Sequence, residues 1–197
     1  NKLYESMNYW DDNDLKNAIN QGTSFVHHSG HASETYVMKF GLYDITNSNF
    51  AGANGTDHNF TLVYTHGCLC GAFDVNDCIG EAMVCIDNFA VAGAFNSRYG
   101  WFNEGQTEGP SAHMHREFVD ALFHDRECRI GAAHMISKIE TAPWVEASGQ
   151  WEEGALRWCF YDCNIFGDPA LGVWTNEPIT IETSYPGEVS CGTTSVP

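Results

Sequence analysis

Apolar positions along this chain follow two periods. Between Asp11 and Gly22 the residues Leu15, Ala18 and Ile19 recur at helical spacing, with Asp14 as the candidate cap and Gly22 as the stop. Thr23 to His28 reads as a buried strand that ends in small residues, Ser29-Gly30-His31-Ala32-Ser33, as functional loops often do. Thr35 to Phe40 predicts a further extended segment. Phe60 to Thr65 (Phe-Thr-Leu-Val-Tyr-Thr) is apolar and β-prone, and runs into His66-Gly67-Cys68-Leu69-Cys70-Gly71. Cys78 to Asn88 places Ile79, Ala82, Met83 and Ile86 on one helix face. Phe89 to Phe95 is a near-continuous apolar run of the kind that parallel sheets bury. A Gly- and aromatic-rich loop spans Asn96 to Pro110. Two helices follow, Met114 to Asp125 with Phe118, Ala121, Leu122 and Asp125 at i, i+3, i+4 and i+7, and Arg129 to Glu140. Strands alternating with helices predict an α/β sandwich around a mostly parallel sheet.

The texture changes after Asp168-Pro169. Ile179 to Thr183 alternates apolar and polar residues, and a Tyr185-Pro186-Gly187 turn follows. The expected division is therefore 1–173 as an α/β unit and 174–197 as the start of an immunoglobulin-like β-sandwich or a C-terminal extension. With 197 residues, 43% of them hydrophobic, the chain can bury one sizeable core. No apolar run approaches the ~20 residues that span a bilayer. Asn1 runs straight into structured-looking sequence with no leader in view, so a processed or partial chain is expected.

Charge narrows the partners. Asp and Glu number 26 against 9 Lys and Arg, a net charge of -17. Phosphate binding needs clustered Lys and Arg, so a nucleic-acid partner is excluded. The plain reading of this acidity is a solvated surface. Cysteines stand at 68, 70, 78, 85, 128, 159, 163 and 191, with no pair at zinc-ribbon spacing. Cys68 and Cys70 are too close for an easy mutual disulfide, while Cys159 and Cys163 are spaced to share a helix face. Asn54 and Asn59 open two glycosylation sequons, informative only in a source that glycosylates.

Two small-residue loops, each after a buried strand, carry the candidate chemistry. One holds His31 and the other Cys68, and strand ends are where open sheets gather ligands and catalytic groups. A thiolate is the attacking species, and an ordinary thiol is mostly protonated at neutral pH. A nearby imidazole accepts that proton and later protonates the leaving amine. Gly30, Gly67 and Gly71 allow tight turns beside a substrate, and the backbone N–H groups of Ala32 and Cys68 are candidate oxyanion donors. Each residue also has a plainer reading, because a lone cysteine is most often a small buried hydrophobe. His27 and His28 alternate across their strand and are assigned to packing or support. His66 is read as a strand-end residue beside the pocket, and His113, His115, His124 and His134 as helix surface or core. A rival constellation is zinc held by His27, His31, Cys68 and Cys70, weakened by its unusual spacings.

Taken together, the loops resemble the gingipain-like cysteine peptidases, of the same clan as the caspases. His28-Ser29-Gly30-His31-Ala32-Ser33-Glu34 is similar to that family's Gly-His-Gly-Ser-Glu stretch, and Gly67-Cys68-Leu69-Cys70-Gly71-Ala72-Phe73-Asp74 to its nucleophile segment. Cys78-Ile79-Gly80-Glu81-Ala82 looks like its Cys-Phe-Gly-Glu helix start. Asn96 to Trp101 resembles its loop beside the specificity pocket, and Phe166-Gly167-Asp168-Pro169-Ala170-Leu171 its closing signature. The likeness covers roughly residues 22–173 in consistent order.

The resemblance implies a caspase-like three-layer sandwich and a secreted, extracellular or cell-surface endopeptidase. Cys68 would be the nucleophile and His31 the general acid/base. Gly30, Gly67, Asn96, Ser97 and Trp101 would flank the substrate. No cofactor is required, and calcium is implied as a structural ion, though no EF-hand loop is present. The partners implied are a protein or peptide substrate and an N-terminal subdomain or separate processed chain. In the best-known members that earlier part supplies the acid supporting the histidine and the acid selecting Arg or Lys. Ala32 stands where the family usually has Gly. Three alternatives remain: a catalytically silent structural or interaction module, a sortase-like transpeptidase, and a zinc-dependent hydrolase.

Overall fold

Four strands form the central sheet in the order β1-β5-β6-β7, with β1 (Phe25–His28), β5 (Thr61–Thr65) and β6 (Ala90–Asn96) parallel and β7 (Cys163–Gly167) antiparallel to β6. The computed structural model describes residues 2–7, 9–150, 152–175 and 182. Parallel pairing needs crossover connections; the one from β5 to β6 carries the helix at 79–85, and the helices between residues 110 and 162 lie in the connection from β6 to the antiparallel β7. The α/β class and the mostly parallel sheet expected from the sequence are both present. The expected immunoglobulin-like start falls almost wholly outside the described residues.

Alternation along the strands divides the core in two. One face of the sheet (Val26, Val63, Phe95) packs with Leu15 and Ile19 of α1 (Asp12–Asn20) and with Ile79 and Met83 of α2 (Ile79–Cys85). The other (Leu62, Tyr64, Ala92, Ala94) packs with Met114 and Phe118 of α3 (Pro110–Phe123), Ile130 and Ala133 of α4 (Ile130–Thr141), and Leu156 and Cys159 of α5 (Ala155–Asp162). Thr61 to Thr65 are all buried, as a central strand covered on both faces requires.

Several boundaries differ from the sequence reading. The cap of α1 is Asp11, not Asp14: the Asp11 carboxylate accepts from the amides of Asn13 and Asp14, and the Asp14 carboxylate accepts from the Asp11 amide. Thr35 to Phe40 is not one extended piece. With β2 (Ala32–Ser33) it makes a small antiparallel sheet, β3 (Tyr36–Val37) turning into β4 (Phe40–Gly41) through Met38 and Lys39, both at positive φ. Such turns favour Asn and Gly. Here Met38 is buried in the core, and the Lys39 ammonium bonds the Trp10 carbonyl at 2.6 Å, so tertiary contacts offset the strain. Helix α3 begins at Pro110, a residue suited to a first helical turn.

Helix α5 and strand β7 are absent from the pattern-based reading. They separate Cys159 from Cys163, so these two share no helix face. The closing Phe-Gly-Asp-Pro signature leaves β7 and docks on the start of α4, where Gly131 N–H donates to the Pro169 carbonyl at 2.9 Å and Ile130 N–H to that of Leu171 at 3.1 Å.

Candidate active site

Strands β1 and β5 end level with one another. His28 pairs with Thr65 in the register, and the His66 amide donates to the His28 carbonyl at 2.9 Å. The His31 loop and the Cys68 loop therefore leave the sheet side by side. The Thr65 hydroxyl joins them, accepting from the Gly67 amide at 2.9 Å and meeting His28 Nδ1 at 2.8 Å. Burial first, then the neighbouring His27 and His31, push the His28 imidazole down to about 4, so it is neutral in the folded protein.

Helix α2 binds both loops at its start. The Ile79 amide donates to the Glu34 carbonyl at 2.7 Å and the Gly80 amide to the Cys70 carbonyl at 2.8 Å. Glu81 accepts from the Cys78 amide at 3.1 Å. A β-carbon at Gly80 would meet the Cys70 carbonyl at 2.6 Å, which explains a glycine in this Cys-Ile-Gly-Glu stretch.

From the other side, the end of β6 grips the Cys68 loop. Asn96 Nδ2 donates to the carbonyls of His66 (3.2 Å) and Gly67 (3.1 Å), the Leu69 amide to the Arg98 carbonyl (2.7 Å), and the Gly71 amide to the Asn96 carbonyl (3.0 Å). Leu69 sits at φ 61°, an uncommon conformation for a branched side chain, held directly after Cys68. Among the described residues the Cys68 amide itself has no protein acceptor.

A cleft of about 640 Å³ opens above these loops. Gly30, His31, His66, Cys68, Tyr99, Trp101 and Phe102 line it, together with the 106–109 segment. The Cys68 thiol points toward the Gly100 carbonyl at 3.7 Å. Trp101 is held by reciprocal bonds with Ser111 at the start of α3. Of the substrate-flanking residues expected from the sequence, Gly30 and Trp101 line the cleft. Gly67, Asn96 and Ser97 are buried beneath it instead, because their polar groups serve the loops. Ser97 bonds the Asp162 carbonyl through both its amide and its hydroxyl. Ala32 is half-buried, with its β-carbon against Gly67. Sequence reading gave His66 a strand-end role and overlooked Tyr99 and Phe102, although the aromatic-rich 96–110 loop was a usable signal.

The cysteines divide by environment. Burial pushes the thiols of Cys70 and Cys159 up to about 12 and those of Cys78 and Cys163 up to about 11. The seven described cysteines are free thiols, Cys85 and Cys128 on the surface and Cys68 half-buried in the cleft wall. Elsewhere, His134 Nε2 meets the backbone carbonyl of Cys163 at 3.1 Å, while the Cys163 thiol bonds Tyr64 Oη at 3.6 Å.

The zinc set expected as a rival does not assemble. Cys70 is sealed in the core with its thiol on the Gly67 carbonyl. Among the described residues the group at metal-binding distance is His27, His66 and His115, and no three carboxylates gather to hold calcium. No described helix is long and apolar enough to cross a membrane.

This is the three-layer α/β fold of the caspase-like cysteine peptidases. The chain belongs to peptidase family C25, whose profile matches residues 2–174. It is similar to the crystal structure of the Arg-specific cysteine proteinase gingipain R, RgpB (TM-score 0.67, 20% identity, 91% of this chain and 40% of that one). It is also similar to the complex of Porphyromonas gingivalis RgpB pro- and mature domains (TM-score 0.66, 18% identity, 91% and 41%). A third likeness is to a structure described as a protease (TM-score 0.52, 16% identity, 88% and 40%). The chain thus spans about 40% of the structures it matches. No curated relative matches the sequence.

Proposed function

We propose that this chain carries the catalytic centre of a secreted cysteine endopeptidase, with Cys68 as nucleophile and His31 as general acid/base. The observation that supports it is the presence of both residues in one cleft wall, on loops leaving adjacent parallel strands. His31 takes the thiol proton as sulfur attacks the scissile carbonyl carbon. The carbonyl electrons move onto oxygen, where the Cys68 and Ala32 amides are the proposed donors. The intermediate collapses as His31 protonates the departing amine, leaving a thioester on Cys68. Water then attacks the thioester carbon, His31 accepts its proton, and thiol and carboxylic acid are released. No cofactor enters these steps.

Trp101, Tyr99 and Phe102 give the cleft an aromatic wall for a substrate side chain, and Gly30 lines it as a glycine because a β-carbon there would meet His28 Nε2 at 2.6 Å. Because the chain spans about 40% of the structures it resembles, we assign the acid that supports His31 to an associated N-terminal subdomain or processed chain. An extracellular or cell-surface location follows the same likeness.

The test is alkylation with iodoacetamide or a peptidyl chloromethyl ketone near neutral pH, with the label mapped by mass spectrometry in wild type and His31→Ala. Rapid labelling at Cys68, slowed in the variant, is the expected result. Cys68 labelling no faster than Cys85 or Cys128, and unchanged in His31→Ala, would overturn the proposal.

A further inference from the structure

We propose that His27, His66 and His115 form a binding site for one divalent transition-metal ion of the zinc class, beside the Cys68 cleft. The three residues come from β1, the end of β5 and α3, and one ligand nitrogen from each lies within 4.8 Å of the other two. His27 Nε2 and His66 Nε2 are 3.0 Å apart. Two nitrogens each about 2.0–2.1 Å from a tetrahedral zinc are roughly 3.4 Å apart, so this pair needs only a small spread.

His115 supplies a second, independent sign. Its Nε2 is buried and has no hydrogen-bond partner, an arrangement that is costly when nothing satisfies the atom. A metal ion would satisfy it. Three imidazoles suit zinc, cobalt, nickel or copper and not calcium or magnesium.

Phe25 and Tyr64 pack against the His115 ring. His27 and His115 stack at 3.7 Å with planes 10° apart, so their lone pairs converge only after one ring turns. His27 is exposed and can do so. Its exposed side also leaves a fourth position open to water. The ion would tie β1, β5 and α3 together where the cleft begins, since the His66 carbonyl is held by Asn96 and Cys68 follows two residues on.

The experiment uses the purified chain with its accessible thiols blocked by iodoacetamide, so that cysteine cannot supply the ligands. Zn²⁺ is titrated calorimetrically, and Co²⁺ is followed by the visible absorption of a four-coordinate ion. One ion per chain is expected, with a rise in Tm on loading. In His27→Ala and His115→Ala, affinity should fall by more than the roughly 10–100-fold that loss of an outer-shell partner costs. His124→Ala, remote and exposed, should bind as wild type. His27 is solvent-facing, so that variant keeps its fold, checked by circular dichroism. Absence of binding in wild type, or binding undiminished in His27→Ala, would overturn the site. Neither result bears on Cys68.

Discussion

The β-carbon of Ala32 lies directly on Gly67, so that a β-carbon added at position 67 would come within 2.4 Å of it and within 3.1 Å of the Thr65 hydroxyl. The loop bearing His31 and the loop bearing Cys68 thus touch through two of the smallest residues. Gly67→Ala should push them apart, with a stability loss of about 1–3 kcal/mol for an overpacked site and slower alkylation of Cys68. Ala32→Gly returns the missing volume, so the double variant should recover both properties. Urea unfolding and labelling rates across the four proteins measure this coupling, and strictly additive losses would refute the contact's importance.

Asn96 should matter through the backbone it holds. Asn96→Ala leaves the His66 and Gly67 carbonyls without their donor. An unsatisfied buried polar group costs about 1–3 kcal/mol. The denaturation midpoint should fall accordingly, and Asn96→Asp should be worse, because a carboxylate facing two carbonyl oxygens repels them.

Gly100 presents a sharper steric limit. A β-carbon there would overlap the His66 carbonyl oxygen, a backbone atom that cannot swing away. Gly100→Ala should displace the start of the Cys68 loop and slow Cys68 labelling. Gly172→Ala, where a β-carbon meets open space, should leave labelling unchanged. Equal rates in the two variants would contradict this reading.

Acid should destabilise the protein in a defined window. His28 and His134 are held down to about 4, His115 to about 3 and His66 to about 2, chiefly by burial. Their folded values lie below the unfolded value near 6.5, so as pH falls from 6.5 toward 4 the unfolded chain gains protons that the folded one refuses. Asp162 opposes them: burial raises it to about 7, so between about 7 and 4 it binds a proton when folded and not when unfolded. Four imidazoles outweigh one carboxyl, and Tm should drop steadily from pH 6.5 to 4. Asp162→Asn should steepen that drop, since it removes a group that stabilises on acidification. A flat profile would disprove the buried neutral imidazoles.

Thiol chemistry should sort by burial. Cys70, Cys78, Cys159 and Cys163 should resist iodoacetamide in the folded chain and react only after denaturation, because burial holds each thiol protonated. Labelling of any of the four under native conditions at the rate of exposed Cys85 would show that the core opens readily.

Much of this protein is written in short-range patterns. The apolar runs before His28, Thr65 and Asn96 can only be buried strands, and the small residues after the first two can only be tight loops, so the paired His31 and Cys68 loops follow from sequence. The helix faces of α1 to α3 follow from spacing for the same reason. Helix α5 escaped because Trp158 and Tyr161 lie on its exposed side and blur the apolar period. Strand β7 escaped because it reads as a strand only against β6. The turn at Met38-Lys39 carries no Asn or Gly, and only core burial and the Trp10 carbonyl hold it. Likewise, Asn96 and Ser97 looked like pocket residues because local sequence cannot tell a group that faces a cleft from one that braces it. The meeting of His27, His66 and His115 was out of reach altogether: parallel pairing of β1 with β5 and the packing of α3 across them bring the three rings together. Local sequence set which segments form strands and turns, while the side chains that finally face one another were decided by strand pairing and by helices packed across the sheet, which join positions far apart in the chain.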